Sequence, residues 1–512
     1  MSRNLLASAV LASLILTTFN SAKAQNQQVV GATFFQPTAA AQEVETDEDL
    51  REELKKMQLR LRELEHDLEE KLGAVPDAEE TEEVYEQFDE RFEALEETVE
   101  EQSESINLLE DADEGFLTIG GSDTKKAKFF GRIHIDYWAF PDTDDEVTVF
   151  EGENPQDRFS FRRIRIGASG ELSNNIVYKY EGEFAGGANA SYRDVYVGAK
   201  DLPFLNTLLI GNQKRPYGLD HLNSSKTNVF IERPLIVEAL NQDARRLGIA
   251  SYGLSEDQKY NWRYGVFNKR LTQNIGEFVG DHYQLEVAGR LAATPWYDES
   301  SGGRGYLHVA VSGSVGFPDG RGGPDNEAEF RTRPEARSTN RWIDTGQIVG
   351  ADVSSLAGIE TVLNIGAWHF TGEYLGVNVE RSAGFGQSLQ FRGGYFQVGY
   401  MLTGEHHSWN RKNGTLGRVK PFENFFAVRD CENNTRRGLG AWQIAARYSR
   451  ADFNDQDILG GDGESLTIGL NWWWTTHARW QFNYINGEID RPDIGDGTGN
   501  YDIFGIRFAV DF

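Results

Sequence analysis

The stretch Ile503-Phe504-Gly505-Ile506-Arg507-Phe508-Ala509-Val510-Asp511-Phe512 decides the fold. Successive side chains of a strand point to opposite sides. Phe504, Ile506, Phe508, Val510 and Phe512 therefore share one face, and Gly505, Arg507, Ala509 and Asp511 share the other. Five apolar residues on one face at a free chain end would template aggregation in water. In hydrocarbon that face is at home, but the backbone edge must then be closed by pairing, because no water is there to satisfy it. The pattern predicts a strand that meets lipid and closes against the first strand of the same sheet.

The same period of two extends back to Lys128. Ile133, Ile135 and Tyr137 alternate with Arg132, His134 and Asp136; Ile176, Tyr178, Tyr180 and Phe184 lie opposite Lys179, Glu181 and Glu183. One wet, charged face and one apolar, aromatic face in segments of about ten residues are how a membrane barrel reads in sequence. A soluble sandwich also alternates, but with a packed apolar face and regular turns. The composition fits a barrel: 54 glycines, 13 prolines and 12% aromatics. The expected fold class is an all-β transmembrane barrel of about 16 antiparallel strands, preceded by an α-helical coiled coil. The strands are placed at 129–139, 159–171, 175–185, 192–200, 206–213, 244–252, 260–267, 281–292, 305–316, 345–353, 359–374, 389–402, 440–450, 464–474, 478–487 and 501–512. Short connections (172–174, 201–205, 354–358, 475–477) should then fall at one end and long ones (140–158, 214–243, 317–344, 488–500) at the other. Segment 403–439 breaks that parity: either it folds into the lumen or the count is off by two strands. A terminal Phe is also what outer-membrane assembly machinery reads, so the ending resembles that class of chain.

Ahead of the barrel the sequence changes character. Arg3, the apolar run Leu5 to Thr18 and Ala22-Lys23-Ala24 have the form of a signal peptide over residues 1–24, with Gln25 the first mature residue. The run is too short to cross a hydrocarbon layer of roughly 30 Å as a helix. Residues 25–42 read as a linker. From Leu50 the apolar positions Leu50, Leu54, Met57, Leu61, Leu64 and Leu68 step by four and three, and after Gly73 and Pro76 the pattern restarts through Tyr85, Phe88, Phe92, Leu95 and Val99. This predicts an acidic periplasmic coiled coil over 43–114, the alternatives being one amphipathic helix on the barrel or a helical hairpin. Glu43 to Glu114 hold 30 acidic and 7 basic residues, so most of the net charge of -29 belongs to the coil and residues 115–512 carry only -8. Cys431 is the only cysteine, which excludes an intramolecular disulfide.

Phe161-Arg162-Arg163-Ile164-Arg165-Ile166-Gly167, Gly211-Asn212-Gln213-Lys214-Arg215-Pro216-Tyr217-Gly218-Leu219, Thr403-Gly404-Glu405 and Gly440-Ala441-Trp442-Gln443-Ile444-Ala445-Ala446-Arg447-Tyr448-Ser449 resemble, in that order, motifs of the phosphate-selective porins O and P. The resemblance covers residues 115–512. It implies a trimeric sixteen-stranded barrel with a cationic pore, in some members with a coiled coil ahead of it. The family's phosphate-binding lysines are not matched to positions here.

Beside that, rings of Arg and Lys select anions because fixed donors replace lost hydration. Period-two logic points Arg132, Arg163, Arg165, Lys179, Arg447 and Arg507 into the lumen, and leaves Arg162 facing lipid unless the strand is bulged there. The loop 214–243, with Lys214, Arg215, Lys226 and Arg233, is long enough to fold inward as a constriction, and Arg331, Arg333, Arg337 and Arg341 lie in 329–341. The rival reading pairs the interior arginines with Glu181, Glu183, Asp136 and Asp194. The expected function is a passive, anion-preferring outer-membrane diffusion channel, phosphate or polyphosphate being candidate solutes; the alternative is a tether from barrel to cell wall through the coil. No cofactor, nucleic acid or catalytic chemistry is expected, since neither a Gly-x-Ser-x-Gly elbow nor a His-Glu-x-x-His pair occurs. Glu405-His406-His407 is a weak metal candidate, and Gly460-Gly461-Asp462-Gly463 with Asp452 and Asp455 is either a calcium loop or a plain turn. Expected partners are inorganic anions such as phosphate, outer-membrane lipid, two further copies of the chain, and peptidoglycan for the coil.

Overall fold

The computed structural model describes residues 117–119 and 126–512, apart from 174, 187–188, 242–243, 274–277, 281–282, 324–325, 430–434 and 495–496. The expected signal peptide, linker and coiled coil lie outside the described residues.

Sixteen antiparallel strands form the wall: β1 Lys126–Thr143, β2 Arg158–Ser173, β3 Ile176–Glu183, β4 Ser191–Leu202, β5 Asn206–Lys214, β6 Arg245–Leu254, β7 Tyr260–Asn268, β8 Leu285–Tyr297, β9 Gly305–Gly316, β10 Ala351–Ile365, β11 Trp368–Arg381, β12 Leu389–Met401, β13 Ala441–Asp455, β14 Ile458–Thr475, β15 Ala478–Asp490 and β16 Thr498–Asp511. Each pairs with its neighbours in the chain, and β16 returns to β1 with Val510 opposite Ile133 and Ile506 opposite Tyr137, so the sheet closes. At the seam the Gly131 N–H donates to the Phe512 carbonyl at 2.7 Å, and the Phe512 N–H to the Gly131 carbonyl at 3.1 Å. Glycine is needed there: a Cβ on residue 131 would stand 2.5 Å from the Phe512 ring and 2.8 Å from the Arg165 carbonyl oxygen.

The alternation read from the sequence is the alternation of the wall. Ile133, Tyr137, Tyr180, Ile444, Ile468 and Phe504 are exposed on the outside, while Arg132, His134, Asp136, Glu181 and Arg507 are buried inside. Near the short-turn rim, Trp442, Trp472, Trp474, Trp480 and Phe508 form a continuous outward belt, Trp442 stacked on Trp472 at 4.7 Å and Trp480 against Phe508 at 4.7 Å. Aromatic rings collect at the level where hydrocarbon meets water.

Short turns gather at one end and the longer loops, including 144–157, 215–244 and 317–350, at the other. Segment 402–440 starts from the short-turn end and sends its first hairpin, Trp409–Asn410 with Thr415–Leu416, into the lumen. There Trp409 stacks on Tyr306 at 5.4 Å and lies 4.4 Å from His308, and Arg290 donates to the Gly414 carbonyl at 2.8 Å. The first of the two readings of this segment is correct, and the count of sixteen stands.

Two placements need correction. The expected strands 345–353 and 359–374 straddle the true ones: 354–358 lies inside β10, and the turn is Gly366-Ala367, with Gly366 at φ +58. Gly460 to Gly463 are not a turn either, but run inside β14, and the chain reverses at Gln456-Asp457.

The loops from the long end pack inside the barrel. Helices α1 Leu219–Leu222 and α2 Leu235–Leu240 in loop 215–244, and the hairpin Glu329–Thr332 with Ile343–Gln347, cover the inner faces of β11 to β16. Ile236, Val237, Phe330, Trp342, Val377, Phe391, Phe453, Ile489 and Ile503 form one apolar core there. A large apolar core inside the lumen is what the reading of the inner face as uniformly wet left out.

Candidate functional site

The space the loops leave free is a cavity of about 2100 Å³ along the inner face of β1 to β7. Its lining runs from Asp201, Asn206, Leu254 and Gly302 at the short-turn end to Gly186, Asn189, Arg337 and Arg341 at the long-loop end. Among the described residues that line it, nineteen are Lys or Arg and six are Asp or Glu. The barrel region as a whole is net negative. The lining of the cavity is therefore more positive than the barrel region that encloses it.

The wall builds this from adjacent inward positions. Arg132 on β1 pairs with Glu181 on β3 at 2.7 Å; Arg165 on β2 pairs with Glu183 at 2.6 Å and Glu181 at 3.5 Å. Arg245 on β6 forks onto Asp194 of β4 at 2.6 and 3.0 Å and reaches Glu181 at 3.6 Å, Lys179 stands 3.4 Å from Asp194, and Arg193 is 3.8 Å from Glu183. Three carboxylates thus serve five cations. The pairing expected by the rival reading is real, yet it leaves a positive remainder. Buried ion pairs are weak evidence for stability, but removing one partner strands a charge at high cost.

Arg163 stands apart from this network. It is buried and lines the cavity, and among the described residues its one hydrogen bond is to His134, at 3.3 Å, with no carboxylate in reach. Between Arg162 and its neighbours the strand is bulged, because His134 sits opposite Arg163 while the next residue, Ile135, sits opposite Phe161. The extra residue turns inward. Arg162 consequently faces the lumen, not lipid, and forks onto Glu232 of loop 215–244 at 2.7 and 3.1 Å. Burial alone would raise the Glu232 carboxyl; Arg162, Arg507 and Arg163 around it reverse that and hold it well below the ordinary range. On loop 317–350, Arg337 is pulled down to about 10, first by Arg162 beside it and then by burial. So much positive charge converges at the long-loop end of the cavity.

The sequence-derived residues divide into two groups. Arg132, Arg163, Arg165, Lys179, Lys214 and Arg333 line the cavity. Lys214 does so with its three donors already directed at the His221, Leu222 and Asn223 carbonyls at 2.7 to 2.9 Å, where it caps α1. Arg215, Arg447 and Arg507 point inward but lie beneath the folded loops, away from the cavity. Arg215 pairs with Glu286 at 2.8 Å; Arg447 pairs with Glu335 at 2.5 Å and covers the Phe230 ring; Arg507 forks onto Asp136 at 2.7 Å and reaches Glu232 at 2.9 Å. They fasten the loops to the wall. No sequence pattern marks the carboxylates that hold the loops. Glu335 accepts the Leu235 N–H at the start of α2, Glu373 on β11 accepts the Leu219 and Asp220 N–H groups at the start of α1, and Glu151 accepts from Thr339, Asn340 and Trp342. Each is an isolated Glu in its own stretch of sequence, and only the fold brings its partners to it.

The weak metal candidates do not assemble. His407 is hydrogen-bonded to Gln443 at 2.7 Å and lies tilted against the His369 ring at 4.5 Å, while Glu405 accepts from Phe422 and Thr403. Among the described residues no three His, Cys, Asp or Glu side chains gather as a metal site.

A closed sixteen-stranded barrel with inward loops and a cation-lined passage is the architecture of a general porin, and the family model of the phosphate-selective porins O and P matches residues 128–512. The chain belongs to that family. As a member of the porin O and P family it is an outer-membrane channel, with fold and family both pointing to a conduit and not to an enzyme. Porin O of Pseudomonas aeruginosa is 23% identical over 437 residues, covering 78% of this chain and 91% of that protein. An uncharacterised protein of Caulobacter vibrioides is 26% identical over 406 residues, covering 77% of this chain and 75% of that protein. Among solved structures, a loop-deleted OmpT, an outer membrane protein of Vibrio cholerae, aligns with TM-score 0.48 at 12% identity, covering 76% of this chain and all of that one. The anion-selective porin of Comamonas acidovorans aligns with TM-score 0.45 at 11% identity over 76% of this chain and all of that one. In outer-membrane barrels short turns face the periplasm and long loops the outside.

Proposed function

We propose that this porin is a passive diffusion channel that prefers anions, phosphate and polyphosphate among them. The observation that carries the reading is the lining of the passage, nineteen cationic side chains against six acidic ones in a barrel region that is net negative. An anion entering the passage loses water, and fixed guanidinium and ammonium donors replace it. The guanidinium fork suits the paired oxygens of phosphate and stays charged at any physiological pH. Arg163, with no carboxylate partner among the described residues, and Arg337, in a crowd of like charges, are the side chains with most to gain from a passing anion. Membership in the porin O and P family supports phosphate as a solute. We further read the chain as a homotrimer in the outer membrane, with residues 43–114 as its periplasmic coil. Single-channel recording tests the solute. Phosphate added to a chloride bath should depress the chloride current in a concentration-dependent way while the channel remains open. A current that merely follows bulk conductivity on adding phosphate would leave a general anion pore and remove the phosphate reading.

A further inference from the structure

Segment 402–440 does not end its work in the lumen. After its inner hairpin it passes the short-turn rim, where Arg418 pairs with Asp511 at 2.5 Å and donates to the Thr476 carbonyl. It then emerges on the outside. On β13 and β14 the inward residues are Ala441, Gln443 and Trp473, all buried, so Trp442, Trp472 and Trp474 between them face out. Phe425 stands edge-on to Trp472 at 4.6 Å and stacks on Trp474 at 5.3 Å, and its N–H donates to the Trp474 carbonyl at 2.7 Å. Both indole N–H groups, of Trp442 and Trp472, donate to the Leu439 carbonyl, at 3.1 and 2.9 Å. Between Phe425 and Leu439 the chain forms a second hairpin, Phe426–Arg429 with Thr435–Gly438. The one segment therefore grips the wall from both sides.

The outer half is apolar where it need not be. Phe426 is 63% exposed, Leu439 69% and the adjoining Leu402 56%. They are continuous with the outward belt of Trp442, Trp472, Trp474, Trp480 and Phe508 that meets lipid. Beside them Arg437 on the second strand of the hairpin is exposed. Apolar side chains beside an exposed arginine at the height of an aromatic belt are the chemistry of a membrane interface, the apolar groups entering the acyl boundary and the cation staying with phosphate headgroups.

We propose that Phe425, Phe426, Arg437 and Leu439 form an interfacial anchor seated in the phospholipid leaflet that faces the periplasm, and that this anchorage holds the lumenal hairpin 409–416 in place from the far side of the rim. The occupant is phospholipid, because the exposed rings continue the lipid-facing belt and the headgroup level supplies phosphate for Arg437.

The test is photo-crosslinking of the full-length protein in vesicles of phosphatidylethanolamine and phosphatidylglycerol. Benzoylphenylalanine is placed at Phe426, at Leu439, at Phe504 as a lipid-facing reference and at Lys412 as a lumenal one, with heat-modifiability confirming that each barrel folds. Positions 426 and 439 should give phospholipid adducts in yields comparable with position 504 and several-fold above position 412. Yields as low as at 412, or adducts to a second copy of the chain in place of lipid, would overturn the proposal.

Discussion

The inner faces of the two halves of this barrel share one sequence rule and have opposite contents. Along β1 to β7 the inward residues include Arg132, Arg163, Arg165, Lys179, Asp194 and Arg245, and they border an open passage. Along β11 to β16 the inward residues toward the long loops are Val377, Val379, Leu389, Phe391, Phe453, Ile489 and Ile503, and they are packed under α1, α2 and the 329–347 hairpin. Period two tells which side chains point in. It does not tell whether inside is water or protein. This lumen is half a pore and half a globular core, and the core half makes the pore half narrow by placing Glu232, Arg233, Arg333 and Arg337 opposite the basic wall.

Breaking the packed half should have the largest effect. Glu335→Ala removes the carboxylate that pairs with Arg447, accepts the Leu235 N–H and accepts from Thr467, leaving a buried guanidinium uncompensated. That change should cost about 3–5 kcal/mol. The expected outcome is a heat-modifiability transition at clearly lower temperature, with larger, noisier single-channel currents as loop 215–244 loosens. An unchanged, quiet conductance would show that the loop is held by other contacts.

Trp409→Ala comes next. The ring is buried between Tyr306 and His308, and its indole N–H donates to Thr294 at 3.1 Å. Truncating such a side chain costs roughly 3–5 kcal/mol at a rigid site. The inner hairpin is no part of the closed wall, so the global cost should fall below that range while loosening of the hairpin raises conductance. Conductance at the wild-type level would mean that the hairpin does not narrow the passage.

How much of this was legible follows from the same contrast. Closure of the sheet was readable in 503–512 because a lipid-facing strand keeps its apolar face whatever lies inside. β2 to β7 were placed within a few residues because one face is polar there. β11 and β13 run on to Arg381 and Asp455, beyond the ends at 374 and 450 that alternation gave, because Val377, Val379 and Phe453 are inward and apolar and the pattern dissolves. The same ambiguity moved the β10–β11 turn from Gly366 to 354–358. In the site, Arg132, Arg163 and Arg165 could be assigned from period alone. Arg162 could not, since a bulge shows itself only against the partner strand. Neither could the fastening roles of Arg215, Arg447 and Arg507, whose loop partners are brought to them by the fold.

Arg162 gives the smallest of the stability effects and separates the two halves most finely, since it belongs to the wall of one and the loop of the other. Arg162→Gln should release Glu232 to Arg507 alone and lower the local positive charge, giving a weaker anion preference with little loss of barrel stability. A selectivity identical to wild type in low salt would place Arg162 outside the conducting path.

If lumenal arginines without a carboxylate partner among the described residues set the ion preference, the reversal potential in a potassium chloride gradient must report it. Arg165 is a poor probe because its substitution would also unpair Glu183 and Glu181. Arg163→Gln with Arg337→Gln removes two cations that hold no carboxylate among the described residues. The wild-type channel should reverse on the anion side. The double variant should shift toward the cation side, more strongly in dilute salt, because at 0.15 M the field of a fixed charge reaches only about 8 Å. A wild-type reversal potential of cationic sign, or a double variant that reverses where the wild type does at every salt concentration, would contradict the account.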